Sequence, residues 1–379
     1  MRQMRWIRRL GIRAALIALA TVVALGALLW GFSNLRTDYH LRSAIELDGV
    51  AMTGGGAGWA VGGIGGKPNT ILMRADAGRW IILPKPAGLD DMATLQAVAM
   101  ASPDDGWLIA QNPLWKHDRY NTYIPGSALL RYHDGQWRIA SPDVPHQLWA
   151  LTMRTADDGW AVGSDGAIIH WNGVAWSQTL VSADPHSSPP FLYAIAAPSA
   201  SEAWAAGMDG AMLRWDGSTW RAVDLATQLT ANTFPSTPLD YGLLKPTIDG
   251  LAMTAPGQGW AAGAGHTPDG HAVGEILVCS NGQWRIAQTF PGVVLHAIAL
   301  DTHGGGWAVG DKGVILRLQG GQWRQQDSPT RDPLRSVSIA PDGQTWAVGL
   351  AGRLLHLQHG AWNLVGDVTW SQAASASYS

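Results

Sequence analysis

Seven copies of Trp-Ala-Val-Gly, or a near variant, punctuate the chain, with the tryptophan at Trp59, Trp107, Trp160, Trp204, Trp260, Trp307 and Trp346. The intervals are 48, 53, 44, 56, 47 and 39 residues. Twelve residues before each stands an aliphatic side chain: Leu47, Leu95, Leu148, Leu192, Ile248, Leu295 and Leu334. A second tryptophan follows each first one, at Trp80, Trp137, Trp176, Trp220, Trp284, Trp323 and Trp362. That separation is 16 residues in four repeats and 21, 30 and 24 in the first, second and fifth, as if a fixed unit had received insertions. One small sheet cannot bury both of its faces, whereas seven arranged radially cover one another. The pattern predicts an all-β fold, a seven-bladed β-propeller of four-stranded antiparallel blades over residues 45–366.

The third repeat shows how one unit is read. LWALTM, WAVG, AIIHW and WSQTL are four strand-length segments separated by turn residues. Gly163-Ser-Asp-Gly166 joins the second and third, and recurs as Gly207 to Gly210, Gly310 to Gly313 and Gly349 to Gly352. Its second glycine suits a left-handed position where a side chain would clash. Asn172-Gly173 and Asp216-Gly217 are hairpin signals between the third and fourth strands. The repeats supply whole blades, so the ring closes either through an edge strand from a terminal segment or by packing alone.

The fourteen recurring tryptophans are expected between neighbouring blades, because core positions recur with the repeat while binding positions differ. A second column lies six residues before each second tryptophan: Arg74, Arg131, His170, Arg214, Val278, Arg317 and His356. Two readings stand. The cations lie across blade tryptophans or pair with local carboxylates, or they form a ring for an anionic partner.

Consecutive connections of an antiparallel meander alternate between its two ends. The loops joining second to third strands and the links between blades therefore share one face, and that is where the sizeable insertions fall. They carry Trp115, Arg119, Tyr120 and Tyr123 in the second repeat, Phe234 and Tyr241 after the fourth, and His266, Asp269 and His271 in the fifth. Aromatic residues mixed with arginine and lysine are what protein interfaces favour, and solvated loops are the plainer alternative. A third column stands eleven residues before each first tryptophan: Asp48, Gln96, Trp149, Tyr193, Asp249, His296 and Arg335. Its neighbours are aliphatic or small, yet it varies in charge, size and aromaticity. With the first strand innermost, these residues ring the mouth of the central channel and are candidates for contact with a partner.

Residues 1–13 hold five arginines, and residues 14–32 are uncharged and almost wholly apolar. Nineteen such residues are close to the ~20 needed to cross a bilayer, and the basic flank keeps the N-terminus cytoplasmic. This reads as a signal anchor, with residues 33–44 as a tether, an extracytoplasmic propeller and a mobile tail over 367–379. A cleaved signal peptide is the alternative, with small residues at Ala24 and Gly26 or at Gly31 and Ser33. Without those arginines, 21 basic residues face 29 acidic ones, a net charge of −8 that argues against nucleic acid. The single cysteine, Cys279, excludes a disulfide framework and a cysteine-based zinc site. His266, Asp269 and His271 sit in a Gly-containing loop of the kind more often solvated than metal-bound, so no metal site is assigned. No phosphate loop, nucleotide fingerprint or supported nucleophile motif is present, and no cofactor is expected.

Asp157-Asp-Gly-Trp-Ala-Val-Gly163, Gly306-Trp-Ala-Val-Gly310 and Ile315-Leu-Arg317 resemble the repeat of the photosystem II stability and assembly factor-like propellers, related to bacterial neuraminidase repeats. The likeness runs from Leu47 to about Val365. It implies a seven-bladed, non-catalytic scaffold that binds another protein, here one of the envelope or membrane. A carbohydrate-binding propeller of lectin type is the alternative, and a sialidase-like glycosidase a more distant one. Such enzymes have a residue between the aspartate and glycine of their repeat box, whereas Asp216 and Gly217 are adjacent.

Overall fold

The computed structural model describes residues 45–64, 67–91, 93–117, 123–179, 189–231, 245–267, 269–365 and 368–370. The basic leader, the apolar segment 14–32, the tether, Arg119, Tyr120, Phe234 and Tyr241 lie outside them, and Trp115 and Tyr123 are described in backbone only. Among the described residues no helix is long and apolar enough to cross a membrane.

Alternating small and aliphatic residues form six four-stranded antiparallel sheets and one of five strands. The third blade consists of Leu148–Thr155, Asp158–Gly163, Ile168–Trp171 and Trp176–Gln178. Each blade's first strand packs against the first strands of both neighbours, the first blade's against the seventh's, so the ring is closed and these strands are innermost. The upper face is defined here as the one bearing the turns between second and third strands.

Close approach explains the glycine that ends each Trp-Ala-Val-Gly string. A Cβ on Gly163 would lie 1.9 Å from the carbonyl oxygen of Gln147, and six of the seven blades repeat the arrangement. Blade two places Ala110 there. In the following turn, Asp165 (φ 56°) and Gly166 (φ 65°) are both left-handed, so the turn needs one more left-handed residue than the glycine spacing announces. The Gly166 amide donates to the carbonyl of Pro190 at the entrance to the next blade (2.7 Å), and Gly352 donates likewise to Ile45 across the closure (2.7 Å).

The indoles form the seams. The first tryptophan of each blade meets the second tryptophan of the next edge to face: Trp59 with Trp137, Trp107 with Trp176, Trp160 with Trp220, Trp204 with Trp284, Trp260 with Trp323 and Trp307 with Trp362. Trp346 with Trp80 completes the circle at 5.4 Å between centroids. Such pairs contribute about 0.5–1.5 kcal/mol beyond the area they bury. Twelve of the fourteen indoles are buried; Trp176 and Trp260 are half-buried.

The basic column belongs to these seams. Each cation stands directly opposite its own blade's first tryptophan, as Trp107 faces Arg131 and Trp204 faces Arg214. Arg74, Arg131, Arg214 and Arg317 lie 5.3–5.7 Å from the ring centroids of Trp59, Trp107, Trp204 and Trp307. His170 and His356 stack on Trp160 and Trp346 at 4.1 and 3.9 Å. Three also meet carboxylates: Arg131 with Asp105, His170 with Asp158 and Arg214 with Glu202. Burial pushes the Glu202 carboxyl up, but hydrogen bonds from Trp204, Gly257 and Arg214 outweigh it and hold it below the ordinary carboxylate range. In blade five Val278 replaces the cation, and Trp260 is the one first tryptophan left half-buried.

Closure uses both routes that the sequence left open. Val368–Trp370 adds a fifth, parallel strand to the outer edge of blade one, opposite Trp80, Ile81 and Ile82. The sequence reading places these residues in a mobile tail; the blade-one edge offers unpaired backbone that three residues cover. A second unforeseen element, helix α1 (Leu225–Ala231), lies in the link between blades four and five. Asp224 caps it, accepting from the Thr227 amide (3.0 Å), and Leu225 and Leu229 join the core against Trp204 and Trp284.

Candidate binding site at the channel mouth

Every inner strand carries one irregularity at the same place. Leu47 pairs with Gly62 and Gly49 with Val61, so Asp48 has no cross-strand partner. The same slip leaves out Gln96, Trp149, Tyr193, Asp249, His296 and Arg335. All seven members of the variable column are therefore β-bulge residues, and a bulge turns its side chain out of the regular pleat. Here it turns them into the channel. The seven line a single cavity of about 470 Å3, together with Glu46, Leu350 and small inner-strand residues. Because the bulges lie near the start of strands entering from the upper face, the cavity opens on the side where the insertions emerge.

The mouth has two unlike halves. On blades three and four, Trp149 meets Tyr193 at 5.0 Å and Phe191 at 5.6 Å between centroids. Among the described residues, Phe191 is one of a few large apolar side chains left exposed. Burial first, and then the charges of Asp249 and Asp209, push the Tyr193 hydroxyl up, which keeps it a neutral donor.

Ionisable groups fill the other half. His296 contacts Asp311 through Nε2 (2.8 Å) and Asp249 through Nδ1 (3.4 Å). An Arg335 Nη1 atom lies 3.1 Å from His296 Nε2. Asp48 is pushed up to about 6, by burial first and by the neighbouring Glu46 second, with Arg335 opposing. A shift of that sign is what desolvation of a carboxyl produces.

Sequence spacing located the seven bulge residues but not Glu46, Phe191 or Asp311. Asp311 stands in no recurring column, since the position after the first turn glycine carries Ser164 and Met208 in blades three and four. In the fifth-blade loop, His271 Nε2 lies 3.2 Å from Asp269 and both are well exposed. Among the described residues no group of three or more His, Cys, Asp or Glu is gathered as a metal ion requires.

The channel and its bulge column define a propeller-type chain with a lined upper mouth. No family model matches the sequence, and neither does any curated protein. Solved structures match by fold. YCF48 bound to D1 peptide is 17% identical, with a TM-score of 0.54, over 83% of this chain and 94% of that one. YCF48 from Cyanidioschyzon merolae is 16% identical, with a TM-score of 0.58, over 83% and 96%. The WD40 repeats of RRP9 are 13% identical, with a TM-score of 0.57, over 80% and 88%. The fold-level resemblance to the photosystem II assembly factor YCF48 agrees with the one carried by the repeats; at these identities it is a likeness of fold.

Proposed function

We propose that this chain is a non-catalytic scaffold that holds a segment of another protein against the upper mouth of its channel, displayed outside a membrane by residues 14–32. One observation carries the reading. Seven bulge residues, free of cross-strand pairing, converge on one cavity on the face that receives the insertions. A fold that spends its invariant positions on seams and its variable ones on a single mouth presents that mouth for recognition. Support for the anchor comes from the apolar run and its five arginines. A structure of similar fold is described as binding a peptide.

A photo-crosslinking residue at Trp149, compared with one at Gly343 on the opposite face, tests the reading in intact cells. Capture of a defined protein from Trp149 only is expected, and it should disappear when Trp149 is kept and Tyr193→Ala and Arg335→Ala are introduced beside a crosslinker at Leu350. Equal capture from both faces, or turnover of a glycoside by the purified protein, overturns it. The aromatic half also suits a sugar ring, so glycan affinity without protein capture favours the lectin reading.

A further inference from the structure

Resting on that reading, we propose that the mouth takes a cationic side chain, a lysine or methylated lysine of the partner segment, over the face formed by Trp149 and Tyr193 and beside Asp249. The argument joins shape, aromatic faces and charge. Trp149, Tyr193 and Phe191 make a contiguous aromatic wall with centroids 5.0–5.6 Å apart, Phe191 being its exposed end. Aromatic faces carry negative potential and attract ammonium groups, most strongly where water is thinned out. Asp249 belongs to the blade next to Tyr193, close enough that its charge, after burial, holds the Tyr193 hydroxyl up.

The charges of the lining point the same way. Glu46, Asp48 and Asp249 line the cavity, and Arg335 is the one Lys or Arg among its described lining residues. Arg335 lies on blade seven, across the channel from Trp149, with Nη1 3.1 Å from His296 Nε2. His296 in turn is held between Asp311 and Asp249. Among the described residues Asp249 meets His296 through Oδ2 alone, at 3.4 Å, and it stands on the blade next to Tyr193. An anionic group there would meet Asp249 and the negative ring faces together, whereas a cation satisfies both.

The cations of the repeat provide an internal control. In six blades an arginine or histidine already lies against an indole at each seam, so this chain repeatedly uses the cation and indole pairing with its own residues. Trp149 and Tyr193 stand outside that column, face the channel, and have no arginine, lysine or histidine stacked on them among the described residues. The mouth supplies the aromatic faces and the carboxylate, and the partner would supply the cation.

Binding of four peptides of the form acetyl-Gly-Gly-X-Gly-Gly-amide to the full-length protein in detergent tests the proposal, with X as lysine, trimethyl-lysine, acetyl-lysine or glutamate. Lysine and trimethyl-lysine are expected to bind at least about fivefold more tightly than acetyl-lysine, and glutamate not measurably. Trp149→Ala and Asp249→Asn should each weaken the lysine peptide about fivefold or more, with cooperative unfolding retained. Preference for glutamate, equal affinity for lysine and acetyl-lysine, indifference to both substitutions, or no binding of any peptide at millimolar concentration overturns it. If those outcomes accompany specific crosslinking from Trp149, only the choice of a cation fails. If the crosslinking is lost as well, the scaffold reading fails with it.

Discussion

The seams between blades and the mouth of the channel are written by the same repeat, yet one is nearly constant and the other changes from blade to blade. At the seams an indole must fit an indole, a cation and the aliphatic residues of two sheets at once, so seven blades give one answer, with centroids 5.1–5.6 Å apart. At the mouth a bulge residue answers to no cross-strand partner, and seven blades give aspartate twice and five other residues once each. Constancy here measures how many neighbours constrain a side chain.

Tryptophan truncation is the strongest way to break that contrast. Trp204→Ala should lower unfolding free energy by about 3–5 kcal/mol, because a fully buried indole leaves a cavity. Trp149→Ala should cost less than about 1 kcal/mol, as expected away from the packed interior. Urea unfolding of the two variants compares them directly, and equal losses would erase the distinction between seam and mouth.

The seam between blades four and five holds a polar intruder. Glu275 is fully buried, neither carboxylate oxygen has a hydrogen-bond partner among the described residues, and burial pushes its carboxyl from 4.5 to about 8. Strand alternation places it on the same side as Leu277 and Cys279, which pack toward Trp204 and Trp284. Between 4.5 and about 8 the folded chain keeps a proton that the unfolded chain has released, so stability falls as pH rises through that window. Glu275→Gln removes the titration. The variant should match the wild type near pH 4 and exceed it by roughly 4–5 kcal/mol near pH 9, measured as the difference in urea unfolding free energy. A constant difference across that range would show that Glu275 finds a charge partner in solution.

A smaller gain tests the seam from the other direction. Blade five lacks a cation, and its Trp260 is half-buried. Val278→Arg should stabilise the fold by about 0.5–1 kcal/mol by covering that indole, read from the unfolding midpoint. A loss would mean that Val278 packs too closely to be replaced.

At the mouth the smallest effect is one of affinity. Asp48 is protonated below about 6 and charged above it, so a cationic peptide should bind several-fold more tightly at pH 7.5 than at pH 5. Asp48→Asn should flatten that profile, and a profile as steep as before would assign the pH dependence to another group of the mouth.

The tryptophans made the number of blades legible, because they recur wherever two sheets meet. Spacing also found the ring at the mouth, but as a variable column without a cause. The bulge that produces it is a property of pairing between strands, visible only when Leu47 and Gly49 are set against Gly62 and Val61. Helix α1 leaves no periodic signal, because its seven residues sit in an insertion that no other repeat shares. The edge strand Val368–Trp370 is too short to show a periodicity of its own, and its partner lies in the first blade. The left-handed Asp165, Asp209 and Lys312 each stand immediately before the second turn glycine, a conformation that the glycine spacing alone does not announce.

A bulge at the same place in every blade detaches identity from architecture. Each of the seven positions is a socket that accepts an acid, an amide, an imidazole, a guanidinium or an indole without retuning the sheet behind it. Such a ring behaves like a combination dial, in which point changes compose new recognition codes while the toroid that displays them stays as it was.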